Sequence, residues 1–345
     1  MSLAEADRTQ HSHRSPSFAC YGEVLDRLSG LAGITLLLDV PLSQYTRFGI
    51  GGPADVYLET ADPVSFGQAL SIVRSQGLDS VVIGGGTNLI VADEGFRGVC
   101  LKLTSDRIVA DGLHVEVECG ATLQTLVDFT VQRGLKGLET MTGIPGSTGA
   151  AVYGNAGAYG HSIQERVRTV RFLDDGAVRQ FDNAQCQFRY RESIFKNNKQ
   201  WIILSAMLEM EAGDAVALQQ AADRILTTRN RKYPPSMRCA GSIFKNFLLG
   251  ELPPQVVAQI PPAVIIEGKV PSAWFLEQVG ARGMRQGGIE VADYHANLIY
   301  NAGGGAARDL MLIVHELKER VNRRWGIPLE EEVQYVGFTS QARHA

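Results

Sequence analysis

The nine residues "CAGSIFKNF", Cys239 to Phe247, put a hydroxyl, an ammonium and an amide close together. Ser242 follows Gly241, and no His or Asp lies within ten residues of it. A serine nucleophile needs a nearby base, so this stretch does not announce one. Two readings stay open on these residues alone: a turn serine that packs, or a proton donor. The second requires a setting that stabilises charge. "IGGGTN", Ile83 to Asn88, follows an apolar run. Consecutive glycines let backbone N–H groups converge on an anion such as a pyrophosphate, or simply form a tight turn. It is not a G-x-G-x-x-G fingerprint. "GIPGSTGAAVYGNAGAYG", Gly143 to Gly160, holds six glycines in 18 residues. Such a backbone can approach something large and flat, or act as a plain loop between helices. "FRYRESIFK", Phe188 to Lys196, alternates, which predicts a strand with Arg189 and Arg191 on one face and Tyr190 on the other. An Arg facing a cleft suits capture of a carboxylate or phosphate, while a salt-bridged surface strand is the plainer reading. Arg229, Arg231, Lys232 and Arg238 precede Ser242, as a phosphate site or a solvated loop. In "LEEEVQYVG" (329–337) at least one of three glutamates points inward if the segment is a strand, and it then needs a partner.

Several elements must position these groups. "YGEVLDRLSGLAGI" (21–34) predicts a short amphipathic helix, and "DPVSFGQALSIVRSQG" (62–77) and "TLQTLVDFTVQRG" (122–134) predict helices with start and stop signals. Residues 39–60 read as extended structure broken at Gly51-Gly52-Pro53. "DSVVIGGGTNLIV", "RGVCLKL", "LHVEVECG" and "WIILSAMLEM" read as strands, and 161–182 as a hairpin. Helices follow at 214–230 and 306–326; in the latter Leu310, Ile313, Val314, Leu317 and Val321 share one face, with His315 a packing or surface residue. The irregular mixture of strands and helices argues α+β, with divisions near 101–106 and 213–235.

Composition narrows the function classes. The chain has 345 residues, 45% hydrophobic and 20% charged, with net charge −4. That is ordinary for a soluble protein of two or three domains. No basic excess points to nucleic acid, and no apolar run approaches the ~20 residues of a membrane span. Five cysteines (20, 100, 119, 186, 239) without a C-x-x-C pair speak against a zinc site or disulfide framework and for the cytoplasm. No metal is expected.

In order and spacing, the blocks "RFGIGGPAD", "VIGGGTNLIV", "GIPGSTGAAVYGNAGAYG", "YRESIFK", "AGSIFKN", "WFLEQVGARGMRQGGIEVADYHANLIYN" and "LEEEVQYVG" resemble the UDP-N-acetylenolpyruvoylglucosamine reductases, flavoenzymes of peptidoglycan precursor synthesis. The resemblance covers about residues 40–340. It implies a vanillyl-alcohol-oxidase (PCMH)-type FAD-binding domain of two α+β subdomains, followed by a C-terminal α+β substrate-binding domain. The implied boundaries are a disordered leader at 1–20, FAD subdomain 1 at 21–105, FAD subdomain 2 at 106–213 and the substrate domain at 214–335. Residues from about 336 to 345 would return to subdomain 1.

The resemblance also implies chemistry. NADPH reduces non-covalent FAD, and the flavin passes hydride to the vinyl carbon of UDP-N-acetyl-3-O-(1-carboxyvinyl)-glucosamine in the same cleft. Ser242 would then protonate the neighbouring carbon. Arg191 and Glu332 would stabilise the enolic intermediate, Arg191 through the substrate carboxylate and Glu332 as a protonated donor. The L-x-x-E-V match selects Glu332 over Glu330 and Glu331. FAD would lie against Gly84, Gly85, Gly86, Thr87 and Asn88, and along Gly143, Ile144, Pro145, Gly146, Ser147, Gly149, Asn155 and Gly157. Tyr159, Tyr190, Lys232, Asn246 and His295 would meet substrate, with Gly241 making the approach to Ser242 tight. The 51 residues from Arg191 to Ser242 (242 − 191) match the shorter class of the family, without its tyrosine-bearing loop. A monomer is expected. Two rivals remain: an oxidase of the same flavin fold, for which His161 is the one candidate for covalent flavin attachment, and a non-catalytic flavin- or sugar-nucleotide-binding regulator.

Overall fold

The computed structural model describes residues 21–338. The expected leader at 1–20 and most of the segment from 336 to 345 lie outside them. A four-stranded sheet has the order Ile34–Pro41, Pro53–Thr60, Phe96–Leu103, Ser80–Val82, its first pair antiparallel and the others parallel. An antiparallel five-stranded sheet follows, ordered Ala177–Asp182, Val167–Asp174, Ile202–Glu209, His114–Glu118, Ile108–Asp111. Its hairpin turns at Asp175-Gly176, both with positive φ (45° and 81°), as a two-residue hairpin loop requires. A third sheet, Cys239–Ser242, Leu298–Asn301, Ile289–Val291, Arg285–Gln286, is antiparallel and C-terminal.

Local chemistry explains the helices. Asp62 accepts from the N–H groups of Val64 and Ser65 and starts Pro63–Ser75. Thr122 and Asp214 cap Leu123–Gln132 and Ala215–Lys232 in the same way. The helix Ala307–Trp325 buries Leu310, Ile313, Val314, Leu317 and Val321 and stops at Gly326, φ 66°. The first helix is shorter than the periodicity predicts. It spans Gly22–Ser29 and stops at Gly30, and Ile34 instead opens the first strand. Gly33, φ 68°, makes the turn between them.

One apolar cluster runs from Tyr21 to Leu218 and another is built mainly from Ala240 to Val333. A third, smaller cluster joins Val40, Ala54, Tyr57, Ile83, Val91 and Cys100 to Val336. It is made possible by a late crossing: Gln334–Val336 pairs in parallel with Leu89–Val91, directly after the glycine turn. Among the described residues no helix is long and apolar enough to cross a membrane.

Candidate active site

Two clefts meet at Arg191. The first, about 360 Å3, is lined by Gly84, Gly85, Gly86, Thr87, Asn88, Ser147, Gly149, Lys196 and Glu332, among others. The second, also about 360 Å3, is lined by Asn155, Gly157, Tyr159, Tyr190, Asn246 and Lys269 among others. Arg191 lines both.

The first cleft is built of backbone. A Cβ on Gly85 would sit 3.1 Å from the Gly146 Cα, and one on Gly86 would sit 1.8 Å from the Tyr45 carbonyl oxygen. Gly86 also has φ 64°. The glycines therefore let two loops press against each other, and Thr87 Oγ1 ties them by donating to the Pro145 carbonyl at 3.2 Å. Gly143 packs on the side chains of Leu226 and Arg229, and Gly143, Ile144, Pro145 and Gly146 are not among the residues that line the cleft. Among the described residues, no acceptor takes the backbone N–H groups of Gly84 to Asn88. A row of free amides on a glycine turn fits the pyrophosphate of a dinucleotide, and the apolar flank of Val82, Ile83, Leu103 and Ile203 suits its rings.

Arg191 is held in an unusual backbone state. "FRYRE" is a tight turn and not the strand that its alternation predicts. Arg189 and Glu192 exchange N–H···O bonds at 3.0 Å each way, and Arg191 sits at φ 59°, a position that favours glycine. Such a residue carries roughly 1–3 kcal/mol of strain and persists only where its surroundings enforce it. Here they do. Lys196 Nζ donates to the Arg191 carbonyl at 2.6 Å. Arg191 Nη2 donates to the Gly157 carbonyl at 3.0 Å. Its Nε lies 2.8 Å from Glu332 Oε1, an ion pair in which the Nε–H is not aimed along the line to the oxygen.

Ser242 and Glu332 share one support. Glu332 N–H donates to the Ile243 carbonyl at 2.7 Å, and Lys245 N–H to the Glu330 carbonyl at 2.9 Å. The Glu332 carbonyl in turn accepts from Asn88 Nδ2 at 2.9 Å. Glu332 is thus pinned between the serine segment and the end of the glycine turn. Its neighbours divide as the inward-carboxylate expectation requires: Glu331 pairs with Lys318 at 2.9 Å, while Glu330 is 71% exposed and reaches Lys245. On the other side, buried Asn297 donates to the Phe244 carbonyl at 2.8 Å and accepts from its N–H at 2.9 Å. The irregular register between Cys239 and Ser242 places Gly241 at φ 75°. A Cβ there would meet nothing within 4 Å, so Gly241 is needed for its dihedral and not for a tight approach.

Ser242 does not form the wall of either cleft. Its Oγ lies 3.2 Å from the Tyr233 hydroxyl. Lys232 and His295 gather at the same tyrosine, with Lys232 Nζ 5.2 Å from its ring centre and the His295 ring 6.3 Å away. Burial, helped by the Lys232 charge, pushes the His295 imidazole down to about 4. Asn246 N–H donates to the Tyr190 hydroxyl at 3.3 Å, and burial raises that phenol above its ordinary range. Asn155 lines the second cleft, but its amide is taken up by Gln164 and the Arg189 carbonyl. His161 is exposed, paired with Glu165 at 2.8 Å, and faces the second cleft rather than the glycine turn.

Sequence reasoning passed over Glu192, Lys196, Tyr233, Lys245 and Asn297. Glu192, Lys196, Lys245 and Asn297 stood inside the quoted motifs; Glu192 and Lys245 were hidden because they pair with each other across 53 residues, and Lys196 because it serves a turn that the alternation did not predict.

A sequence profile described as an FAD binding domain matches residues 54–181, and one described as the UDP-N-acetylenolpyruvoylglucosamine reductase C-terminal domain matches residues 233–336. With the cleft above, they define an FAD-dependent oxidoreductase with a PCMH-type flavin domain and a reductase C-terminal domain. A UDP-N-acetylenolpyruvoylglucosamine reductase of Solibacter usitatus is 61% identical over 311 residues, covering 90% of this chain and 100% of that one. One from Rubrobacter xylanophilus is 36% identical, covering 87% and 94%. The crystal structure of the Thermus caldophilus UDP-N-acetylenolpyruvylglucosamine reductase superposes with a TM-score of 0.68 at 27% identity, over 88% of this chain and 98% of the other. The chain belongs to the UDP-N-acetylenolpyruvoylglucosamine reductase family.

Proposed function

We propose that the protein reduces the enolpyruvyl ether of UDP-N-acetylglucosamine to UDP-N-acetylmuramate in the cytoplasm, with NADPH as the hydride source, as a step of peptidoglycan precursor synthesis. The observation that carries this reading is Arg191, which lines both clefts and is already paired with a carboxylate. A guanidinium at that junction suits a substrate carboxylate beside a redox cofactor.

Gly84–Asn88, Ser147 and Gly149 would hold FAD, which would supply the hydride chemistry between a nicotinamide and the vinyl methylene carbon. The remaining work falls to side chains. Arg191 holds the substrate carboxylate as negative charge builds beside it. Glu332, which gives up its pairing with Arg191 when the guanidinium turns to the substrate, would then carry a proton and donate a hydrogen bond that shares that charge. The Ser242 hydroxyl delivers its proton to the carbon next to the carboxylate, which completes the saturated ether. Serine is a weak acid, so this transfer depends on Arg191 and Glu332 standing close by. Since Ser242 lies off the cleft walls, its hydroxyl must turn from Tyr233 toward the bound substrate. Tyr159, Tyr190 and Asn246 flank the sugar nucleotide from the second cleft, with Lys232 and His295 on the Ser242 side. We assign the flavin to subdomains 21–105 and 106–213, the substrate to 214–335, and the working unit to a monomer.

The test is a coupled assay on purified protein. NADPH consumption should depend on the enolpyruvyl substrate and match UDP-N-acetylmuramate formed. Peroxide release with alcohol substrates, or bound flavin that never turns over, would refute the reading.

A further inference from the structure

Arg191 and Glu192 are consecutive, and both reach across to the C-terminal half. Arg191 meets Glu332, while Glu192 Oε1 accepts from Lys245 Nζ at 2.7 Å. Among the described residues these are the two ion pairs that join residues before 214 to residues after 240. Their far partners sit on the two segments that bond to each other, Ile243–Lys245 and Glu330–Glu332. Glu192 is also 3.2 Å from Lys196 Nζ, the same ammonium that holds the Arg191 carbonyl. One carboxylate therefore connects the support of the Arg191 turn to the support of Ser242. The lysines are well covered, with Lys245 at 10% and Lys196 at 13% side-chain exposure, while Glu192 at 35% is half-buried, so the contact is partly shielded from solvent. Although burial raises it, the hydrogen bond from Lys245 and the nearby lysine charges hold the Glu192 carboxyl below its ordinary range.

We propose that Glu192 is a positioning residue for the reduction step, clamping the Arg191 turn through Lys245 onto the paired segments that carry Ser242 and Glu332. The inference rests on the reading of the site as an enolpyruvyl reductase. Glu192 does not touch the glycine-turn cleft. It sets where the Arg191 guanidinium stands relative to Ser242, and misplacement by about 1 Å costs on the order of 10²-fold in rate.

The test uses the flavin-loaded full chain with Glu192→Gln, Lys245→Met, the double variant, Lys245→Arg and Glu330→Gln. Flavin content and anaerobic bleaching by NADPH should stay within about twofold of wild type, while reoxidation by the enolpyruvyl substrate slows about tenfold to a hundredfold in Glu192→Gln and Lys245→Met. The double variant should be much less slow than the two single effects multiplied, because the Glu192–Lys245 contact is lost in both. Lys245→Arg should recover most of the rate, and Glu330→Gln, at an exposed position, should stay within about twofold. The flavin-free protein should show the same non-additivity in its melting temperature. Unchanged reoxidation in Glu192→Gln, equal slowing of both half-reactions, or fully additive singles would overturn the clamp. If wild type itself is not reoxidised by the enolpyruvyl compound, the functional reading falls, and the clamp is then decided by the melting-temperature cycle.

Discussion

The glycine-turn cleft and the Ser242–Glu332 junction solve opposite problems. The first is made of main chain: glycine loops pressed so closely that a methyl group on Gly86 would overlap the Tyr45 carbonyl. The second is made of side chains from distant segments, brought together by a short ladder, a pinned carboxylate and a strained arginine. A backbone site tolerates almost no added atom yet asks little of side-chain chemistry. A side-chain site accepts changes of size and fails when one functional group is lost. Binding and proton delivery should therefore be separable by mutation.

The sharpest separation is expected from Ser242→Ala. NADPH should still bleach the flavin, while product formation falls by a factor of about 10²–10⁴. Stopped-flow measurement of each half-reaction would decide it, and equal loss in both would remove the serine from its proposed role. Gly86→Ala should do the reverse. The clash and the positive φ together cost more than roughly 1–3 kcal/mol of backbone strain, so most flavin should be lost on purification, as read from absorbance per protein. Normal flavin content in that variant would break the contrast. At Glu332, Asp shortens the reach and Gln keeps a donor. Glu332→Asp should slow reoxidation by roughly 10²-fold, more than Glu332→Gln does, and the opposite ranking counts against a protonated glutamate. The smallest effect concerns stability alone. His295 falls from its ordinary 6.5 to about 4 in the folded chain. Below pH 6.5 the unfolded chain takes up that proton first, so folded stability declines as the pH drops toward 4. Melting temperatures across this range should fall less steeply for His295→Gln, and parallel curves would show that the buried imidazole is not responsible.

The two regions also differed in how far sequence revealed them. Both glycine runs stand out by composition, and the capped helices beginning after Asp62, Thr122 and Asp214 follow from nearest neighbours. The Arg191 turn does not. Alternation in "FRYRE" is a local signal for a strand, whereas its positive φ is enforced by a lysine five residues on and by contacts to Gly157 and Glu332. The motif match selected Glu332 among three glutamates. Its setting, with Asn88 on one side and Ile243 on the other, depends on pairings more than 80 residues apart. Glu192 and Lys245 had no signal of their own, because each looks like an ordinary surface charge until the other is in place.

The parallel pairing of Gln334–Val336 with Leu89–Val91 bears on how the protein is born. Asn88 leaves the ribosome 244 residues before Glu332. The glycine turn must therefore wait, with one flank uncovered, until residues 332–336 have been made. Chains that stall before residue 332 would display the glycine loops without the Glu332 carbonyl that Asn88 holds. Closure of the glycine turn thus waits for the Gln334–Val336 strand, and every chain passes through a stage in which that flank is open.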